Sequence, residues 1–136
     1  MSTNDIQNFF SYLNKDQIRI LEGTIINRDL TTEARLELSK KNPDHKYLGK
    51  LLSEHHAVLR DILGISTPKI EKMIDAALNA GAYGAKINGS GGGGCMFAYA
   101  PEEPEKVKSA VDNAGGEGFI ISPDSGSEEE VPEVTK

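Results

Sequence analysis

The chain is poor in the residues that build covalent or metal-based sites. Its 136 residues include one cysteine, three histidines and no tryptophan. A single cysteine excludes an internal disulfide and is typical of a reducing environment, so a cytoplasmic location is expected. A metal site built on that cysteine would lack companion ligands, and no metal-binding residue is predicted.

Positive charge and long apolar runs are also scarce. Lys and Arg number 15 against 21 Asp and Glu, which gives a net charge of −6. Binding to a nucleic-acid backbone needs clustered Lys and Arg, so a nucleic-acid partner is not expected. No apolar run approaches about 18 residues and no charged-then-apolar leader is present, which argues against membrane insertion or export.

The length suits a single hydrophobic core. Residues 15–123 carry the periodic apolar patterns and are predicted to form one domain. Residues 1–14 form an N-terminal arm whose structure the pattern leaves open, as a strand over Ile6 to Leu13, a helix or disorder. Residues 124–136 are rich in Glu, Ser and Pro and are predicted to be a disordered acidic tail.

Helical patterns dominate the first half of the chain. A first helix is predicted from about Lys15 to Lys41, and Gly23 is a point where it could break in two. A turn at residues 42–44 separates it from a second helix, Tyr47 to Leu63, which Gly64 ends. A third helix begins with Thr67 as N-cap and Pro68 at its first position, and stops at residues 80–81.

The second half mixes strands with one further helix. Strands are predicted on both sides of a glycine-rich loop, at residues 83–88 and 95–100. A helix follows from Pro101 to about Ala114, and Gly118 to Ser122 is predicted as a closing strand. Several helices with a small sheet define an α+β fold.

The loop between the two strands is the segment that needs a functional explanation. Five of the six residues from Gly89 to Gly94 lack a Cβ. The backbone there can reach positive φ, and a ligand can approach it closely, at a large cost in chain entropy. Consecutive backbone N–H groups of this kind bind phosphate oxygens. A flexible linker is disfavoured because apolar strands adjoin the loop on both sides.

The loop fits neither standard phosphate fingerprint. A Walker-type loop has Lys and then Ser or Thr after its last glycine, whereas Cys95 and Met96 follow here. A dinucleotide-binding loop begins a helix, whereas residues 95–100 have the alternation of a strand.

Two stretches of the chain resemble the GHMP kinases, the superfamily of galactokinase, homoserine kinase, mevalonate kinase and phosphomevalonate kinase. Residues 84–95, Gly-Ala-Lys-Ile-Asn-Gly-Ser-Gly-Gly-Gly-Gly-Cys, are similar to the third, C-terminal motif of that family. Residues 53–61, Ser-Glu-His-His-Ala-Val-Leu-Arg-Asp, with Ile65 to Ile70, are similar to the galactokinase branch. The two stretches occur in the family's order and spacing.

The resemblance implies a ferredoxin-like C-terminal domain of an ATP-dependent small-molecule kinase, with a sugar as the expected acceptor. The family's main phosphate loop and catalytic residues lie in a larger N-terminal lobe, so that lobe is the expected partner. ATP and Mg²⁺ are the expected cofactors of the parent enzyme, with none bound tightly by this chain alone. The isolated chain is predicted to be inactive and to contain no catalytic residue; a homodimer remains open.

For each conspicuous residue a structural role competes with a functional one. The predicted nucleotide-contacting residues are Lys86, Gly89, Ser90, Gly91, Gly92, Gly93 and Gly94. Lys86 either reaches a phosphate or extends to solvent. His55 and His56 are expected to make core or interhelical hydrogen bonds, Arg60 and Asp61 to form surface or interdomain pairs, and Cys95 to be a small buried apolar group.

Three alternatives stay open from the sequence. The acceptor could be mevalonate or a heptose phosphate, because the motif does not discriminate between acceptors. A non-catalytic module that binds a small ligand or oligomerises is also compatible with such a domain.

Overall fold

The structure, a computed structural model, describes residues 12–92, 94–123 and 126. Four helices and two strands follow one another along these residues. The elements are α1 (Lys15–Leu38), α2 (His45–Asp61), α3 (Pro68–Asn79), β1 (Gly84–Asn88), β2 (Cys95–Tyr99) and α4 (Pro104–Asn113). Most of the predicted arm 1–14 and tail 124–136, including the possible strand 6–13, lies outside the described residues. The α+β class is confirmed.

Local signals explain where the helices begin and end. The side chain of Asp44 accepts hydrogen bonds from the N–H groups of Lys46 and Tyr47, so α2 begins at His45, two residues before the predicted start. Thr67 caps α3, Pro68 occupies its first turn, and Gly81 follows its end with φ of 108°. The third helix therefore matches its sequence prediction closely.

Helix α1 is continuous, so the predicted weak point does not break it. Gly23 is buried, and a Cβ there would lie 2.7 Å from Cγ2 of Ile62, just beyond α2. The glycine thus allows two helices to approach closely. Arg19 strengthens the same contact because its Nη2 donates to the carbonyl oxygens of Asp61 at 2.7 Å and Ile62 at 3.0 Å. These carbonyls at the end of α2 would otherwise lack partners.

The two strands form an antiparallel hairpin with Lys86 opposite Phe97 and Ile87 opposite Met96. One face of this hairpin carries Ala85 and Ile87, which share a hydrophobic core with residues of α3 and α4. The buried core on this side consists of Ile70, Met73, Ile74, Ala77, Ala80, Ala82, Ala85, Ile87, Val107, Val111 and Ala114. Helix α2 packs beside β1, where Gly49 and Gly84 touch.

The predicted closing strand is wrong. Residues 118–122 have no regular secondary structure, and Phe119 and Ile121 are 74% and 83% exposed. Their apolar, β-favouring composition predicted a strand, but a strand needs a hydrogen-bonding neighbour. Within the described part of the chain the sheet contains only β1 and β2, and residues 118–122 pair with neither strand.

Candidate functional site

The hairpin holds the glycine loop between its last paired residues, Asn88 and Cys95. Within the loop, φ is +79° at Gly89, +83° at Gly91 and +77° at Gly92. Side chains disfavour this left-handed region, so the loop's path explains the repeated glycines and confirms the prediction of positive φ. Gly93 lies outside the described residues.

One side of the loop is fixed to the protein. The Gly92 N–H donates to the carbonyl oxygen of Ile65 at 3.0 Å. A Cβ on Gly91 would lie 2.5 Å from the same oxygen and 2.8 Å from Cβ of Ile65. The loop is therefore seated on Ile65, the residue between α2 and α3, through a contact that only glycine permits.

The other side of the loop is open. A Cβ added at Gly89, Gly92 or Gly94 would meet no heavy atom within 4 Å, and Ser90 is exposed. The loop thus presents bare backbone to its surroundings while its inner side is held in place. A phosphate needs this combination of close approach and a fixed backbone.

A polar cluster around the buried His56 connects α2 and α3 with the strand that enters the loop. His56, only 3% exposed, has Nε2 2.9 Å from Oε1 of Glu71, while its Nδ1 accepts the Ile87 N–H at 3.4 Å. The hydroxyl of Ser66 and the guanidinium of Arg60 also donate to the Glu71 carboxylate. The interhelical hydrogen-bonding role predicted for His56 is thus confirmed.

The charges in this cluster favour an ionised Glu71. Burial raises the pKa of Glu71, but the hydrogen bonds from Ser66, His56 and Arg60 outweigh it, and the pKa lies below its usual value. Arg60 also forms a two-pronged pair with Asp61, with distances of 2.7 and 2.9 Å. Arg60 and Asp61 therefore form the surface pair that the sequence predicts.

Lys86 lies in an open, mainly apolar cleft of about 260 Å³. Its Nζ donates to the Ile87 carbonyl oxygen at 2.7 Å and lies 5.4 Å from the centre of the Phe97 ring. The cleft lining comprises Leu30, Thr31, Ala34, Leu51, Leu52, His55, Lys86 and Phe97. A phosphate contact of Lys86 stays a prediction, since in this structure the ammonium is bound by its own strand.

Burial lowers the pKa of Lys86, so the folded protein binds its proton less tightly than the unfolded chain does. Between the lowered folded pKa and the ordinary value near 10.5, the unfolded state holds more protons, and stability rises with pH. We expect Lys86→Met to unfold at the same or a higher temperature at neutral pH, with the difference shrinking towards pH 10.5. Thermal unfolding across this pH range checks it; a large loss of stability at neutral pH would show that the ammonium stabilises the fold.

The structure also locates Cys95 and His55, two residues singled out in the sequence. Cys95 is exposed at the start of β2, so the prediction of a buried apolar cysteine is wrong. Residue 95 lies on the hairpin face opposite Met96 and Ala98, which pack on the core. His55 lines the cleft, and burial lowers its pKa, as do the nearby Lys86 and His56.

Sequence reasoning did not identify Ile65 or Glu71 as parts of the site. Ile65 resembles any apolar residue between helices, and Glu71 resembles an ordinary acidic residue in a first helical turn. The only available signal was their position, because Ile65 belongs to the motif stretch 65–70 and Glu71 directly follows it. Among residues 12–92, 94–123 and 126, no group of three or more His, Cys, Asp and Glu could hold a metal ion, and no helix is long and apolar enough to cross a membrane.

A known family of protein domains matches the segment that contains the glycine loop and most of its α+β frame. Residues 35–117 match the family model described as GHMP kinases C terminal. Because the match covers more than half of the chain, the chain belongs to this family of kinase domains.

The individual relatives are mevalonate kinases. This chain is 37% identical to the mevalonate kinase of Thermococcus gammatolerans over 123 residues. The aligned stretch covers 88% of this chain and 36% of that protein. It is 46% identical over 85 residues to the mevalonate kinase of Pyrococcus furiosus, covering 61% of this chain and 25% of that one. The chain thus spans about a third or less of the curated relatives it matches.

A solved structure agrees with these relatives. The crystal structure of L. major mevalonate kinase in complex with R-mevalonate aligns with a TM-score of 0.61 at 25% identity. The alignment covers 84% of this chain and 34% of that one. The expected GHMP kinase C-terminal domain is confirmed, whereas the galactokinase branch is not supported.

Proposed function

We propose that this chain is the C-terminal lobe of an ATP-dependent kinase that phosphorylates mevalonate. The observation that carries the proposal is the glycine loop, with one side seated on Ile65 and the other side bare. The sugar acceptor expected from the sequence gives way to mevalonate, an alternative already open there, because the relatives above carry that name.

In this proposal the loop contributes position and dipoles. Phosphoryl transfer depends on alignment and charge stabilisation more than on covalent chemistry, so backbone N–H groups of a fixed loop can act directly. The absence of side chains at Gly89, Gly92 and Gly94 lets the loop lie close to the phosphates. ATP with Mg²⁺ supplies the transferable phosphoryl group when bound; the described residues offer no metal cluster of their own.

An N-terminal lobe would supply the main phosphate loop and the catalytic groups. Exposed large apolar side chains support contact with another lobe, since a folded domain normally covers most of them. On α1 these are Ile20, Ile26, Leu36 and Leu38. A cytoplasmic location and a homodimer remain predictions.

A chimaera tests the function. Residues 35–117 of this chain would replace the matching segment of the Thermococcus gammatolerans mevalonate kinase. We expect mevalonate-dependent ADP formation, with turnover on galactose lower by about 100-fold or more, because an acceptor pocket discriminates strongly by its hydrogen bonds. A coupled ADP assay measures both, with the unmodified enzyme as reference.

The outcomes separate the two parts of the proposal. A chimaera that folds, as judged by circular dichroism and a cooperative melt, but forms no ADP with either acceptor would contradict a kinase role for this lobe. A preference for galactose would instead retain the kinase lobe and overturn the choice of mevalonate.

A further inference from the structure

We propose that His56 and Glu71 are positioning residues that hold the glycine loop in place at two points. In the polar cluster one carboxylate, that of Glu71, is connected through His56 with the strand that enters the loop and through Ser66 with the residue next to Ser66 on which the loop rests. The catalytic consequence of this proposal rests on the proposed function, whereas the positioning itself does not.

The first connection runs through the imidazole to β1. Nδ1 of His56 accepts the Ile87 N–H, so Nδ1 carries no proton and the neutral ring carries its proton on Nε2. That proton points at Oε1 of Glu71, 2.9 Å away. The carboxylate thus selects the one tautomer that can bind Ile87, two residues before Gly89.

The second connection runs through Ser66 to the loop's seat. The Ser66 hydroxyl donates to the same oxygen of Glu71, and the preceding residue, Ile65, contacts Gly91 and accepts the Gly92 N–H. Glu71 sits in the first turn of α3, where the helix dipole favours a negative charge. Movement of this carboxylate would therefore disturb both attachments of the loop.

The burial of the histidine supports a dedicated role. A ring that is 3% exposed with both nitrogens hydrogen-bonded cannot rotate without breaking both bonds. Most of the cluster's other contacts are on the surface: Arg60 reaches Glu71 only at 3.4 Å and pairs chiefly with Asp61. His56 is the buried member of the cluster, and it bonds the strand that leads to the loop.

Two substitutions of His56 separate its two bonds. In His56→Asn the amide oxygen takes the place of Nδ1 and can still accept the Ile87 N–H, but the shorter side chain has no group that reaches Glu71. In His56→Gln the amide nitrogen takes the place of Nε2 and can still donate to Glu71, but the acceptor for Ile87 is gone. Glu71→Gln retains an acceptor for the ring, whereas Glu71→Ala removes it.

Amide hydrogen exchange on the ¹⁵N-labelled full chain gives the decisive measurement. We expect His56→Gln and Glu71→Ala to raise exchange at Ile87 and Gly92 by about tenfold, the effect of one lost hydrogen bond, with little change at Ile74 in the core of α3. His56→Asn and Glu71→Gln should remain within about threefold of the original chain at Gly92. Glu54→Gln, which removes an exposed partner of Lys50 on the same helix, is the matched control.

Ring ¹⁵N shifts test the tautomer at about pH 8, above the ordinary pKa of histidine. Protonated Nε2 and unprotonated Nδ1 are expected in the original chain. The opposite tautomer, equal acceleration at Ile74 and Gly92, or unchanged exchange at Gly92 in His56→Gln would each overturn the proposal.

Kinetics in the chimaera connect the loop to chemistry. His56→Gln should lower kcat by about tenfold with a smaller change in KM for ATP, since a displaced loop affects alignment more than binding. His56→Asn should retain most of the turnover of the unmodified chimaera. Because the exchange arm needs no activity, an inactive chimaera contradicts the function without touching the positioning result.

Discussion

Gly49→Ala is expected to prevent α2 from packing on β1. A Cβ on Gly49 would lie 2.3 Å from the backbone carbonyl of Tyr83, and the facing Gly84 is equally crowded by the carbonyl oxygen of Gly49. Backbone on both sides cannot move aside as a side chain can. We expect a loss of about 3 kcal/mol or more in the free energy of unfolding, at the upper end of the usual cost of overpacking. The melting temperature should fall by about 10–20 °C.

Gly23→Ala is the matched control, because it is also a glycine within a helix. Its added Cβ would meet Cγ2 of Ile62 at 2.7 Å and Cβ of Ile62 at 3.3 Å, and these side-chain atoms can shift more easily than backbone can. Alanine also favours helix over glycine by about 1 kcal/mol, which offsets that cost. Thermal and urea unfolding of both variants checks the contrast; similar stability of Gly49→Ala and the original chain would contradict the close backbone contact.

Gly91→Val is expected to remove the activity of the chimaera while the helices persist. Valine at φ of +83° is strained, and its Cβ would collide with Ile65, on which the loop rests. The loop must leave its seat, and a displacement of about 1 Å near a reacting centre can cost about 100-fold in rate. We therefore expect kcat/KM for mevalonate to fall by at least that factor, with helical circular dichroism unchanged.

Two other glycines separate strain from collision. Gly92→Ala keeps a positive φ of +77° but has open space around its Cβ, so it carries strain of about 1–2 kcal/mol without displacing the loop. At Gly94 φ is not positive and an added Cβ would meet no heavy atom within 4 Å, so Gly94→Ala introduces neither strain nor collision. Activity should decrease in the order Gly94→Ala, Gly92→Ala, Gly91→Val. Turnover of Gly91→Val near that of the unmodified chimaera would end the nucleotide-facing interpretation of the loop.

The sequence predicted the elements whose signals are local. The helix at Pro68 was placed well because its cap, its proline and its terminal glycine lie within the helix itself or beside it. The loop's positive φ values followed from composition alone, since only glycine tolerates them at low cost. The family could be predicted from the sequence because its motif is one contiguous stretch of residues around this loop.

The remaining features depend on contacts between distant parts of the chain. Nothing in the local pattern indicates that Gly49 faces Gly84 or that Glu71 meets His56. The strand predicted at residues 118–122 had the right composition but pairs with neither β1 nor β2. The motif near the glycines could not identify the acceptor either, because it is shared among branches of the family that phosphorylate different molecules.

The hairpin can be extended in only one direction. At Ile87 the edge of β1 turned away from β2 already gives its N–H to a histidine of α2, and this helix packs along β1. Any strand that joins this sheet, from the rest of the polypeptide or from another molecule, must therefore add beside residues 95–99. Growth of the sheet would then leave the seat of the loop untouched, so the domain could acquire new neighbours without altering the backbone path of its glycines.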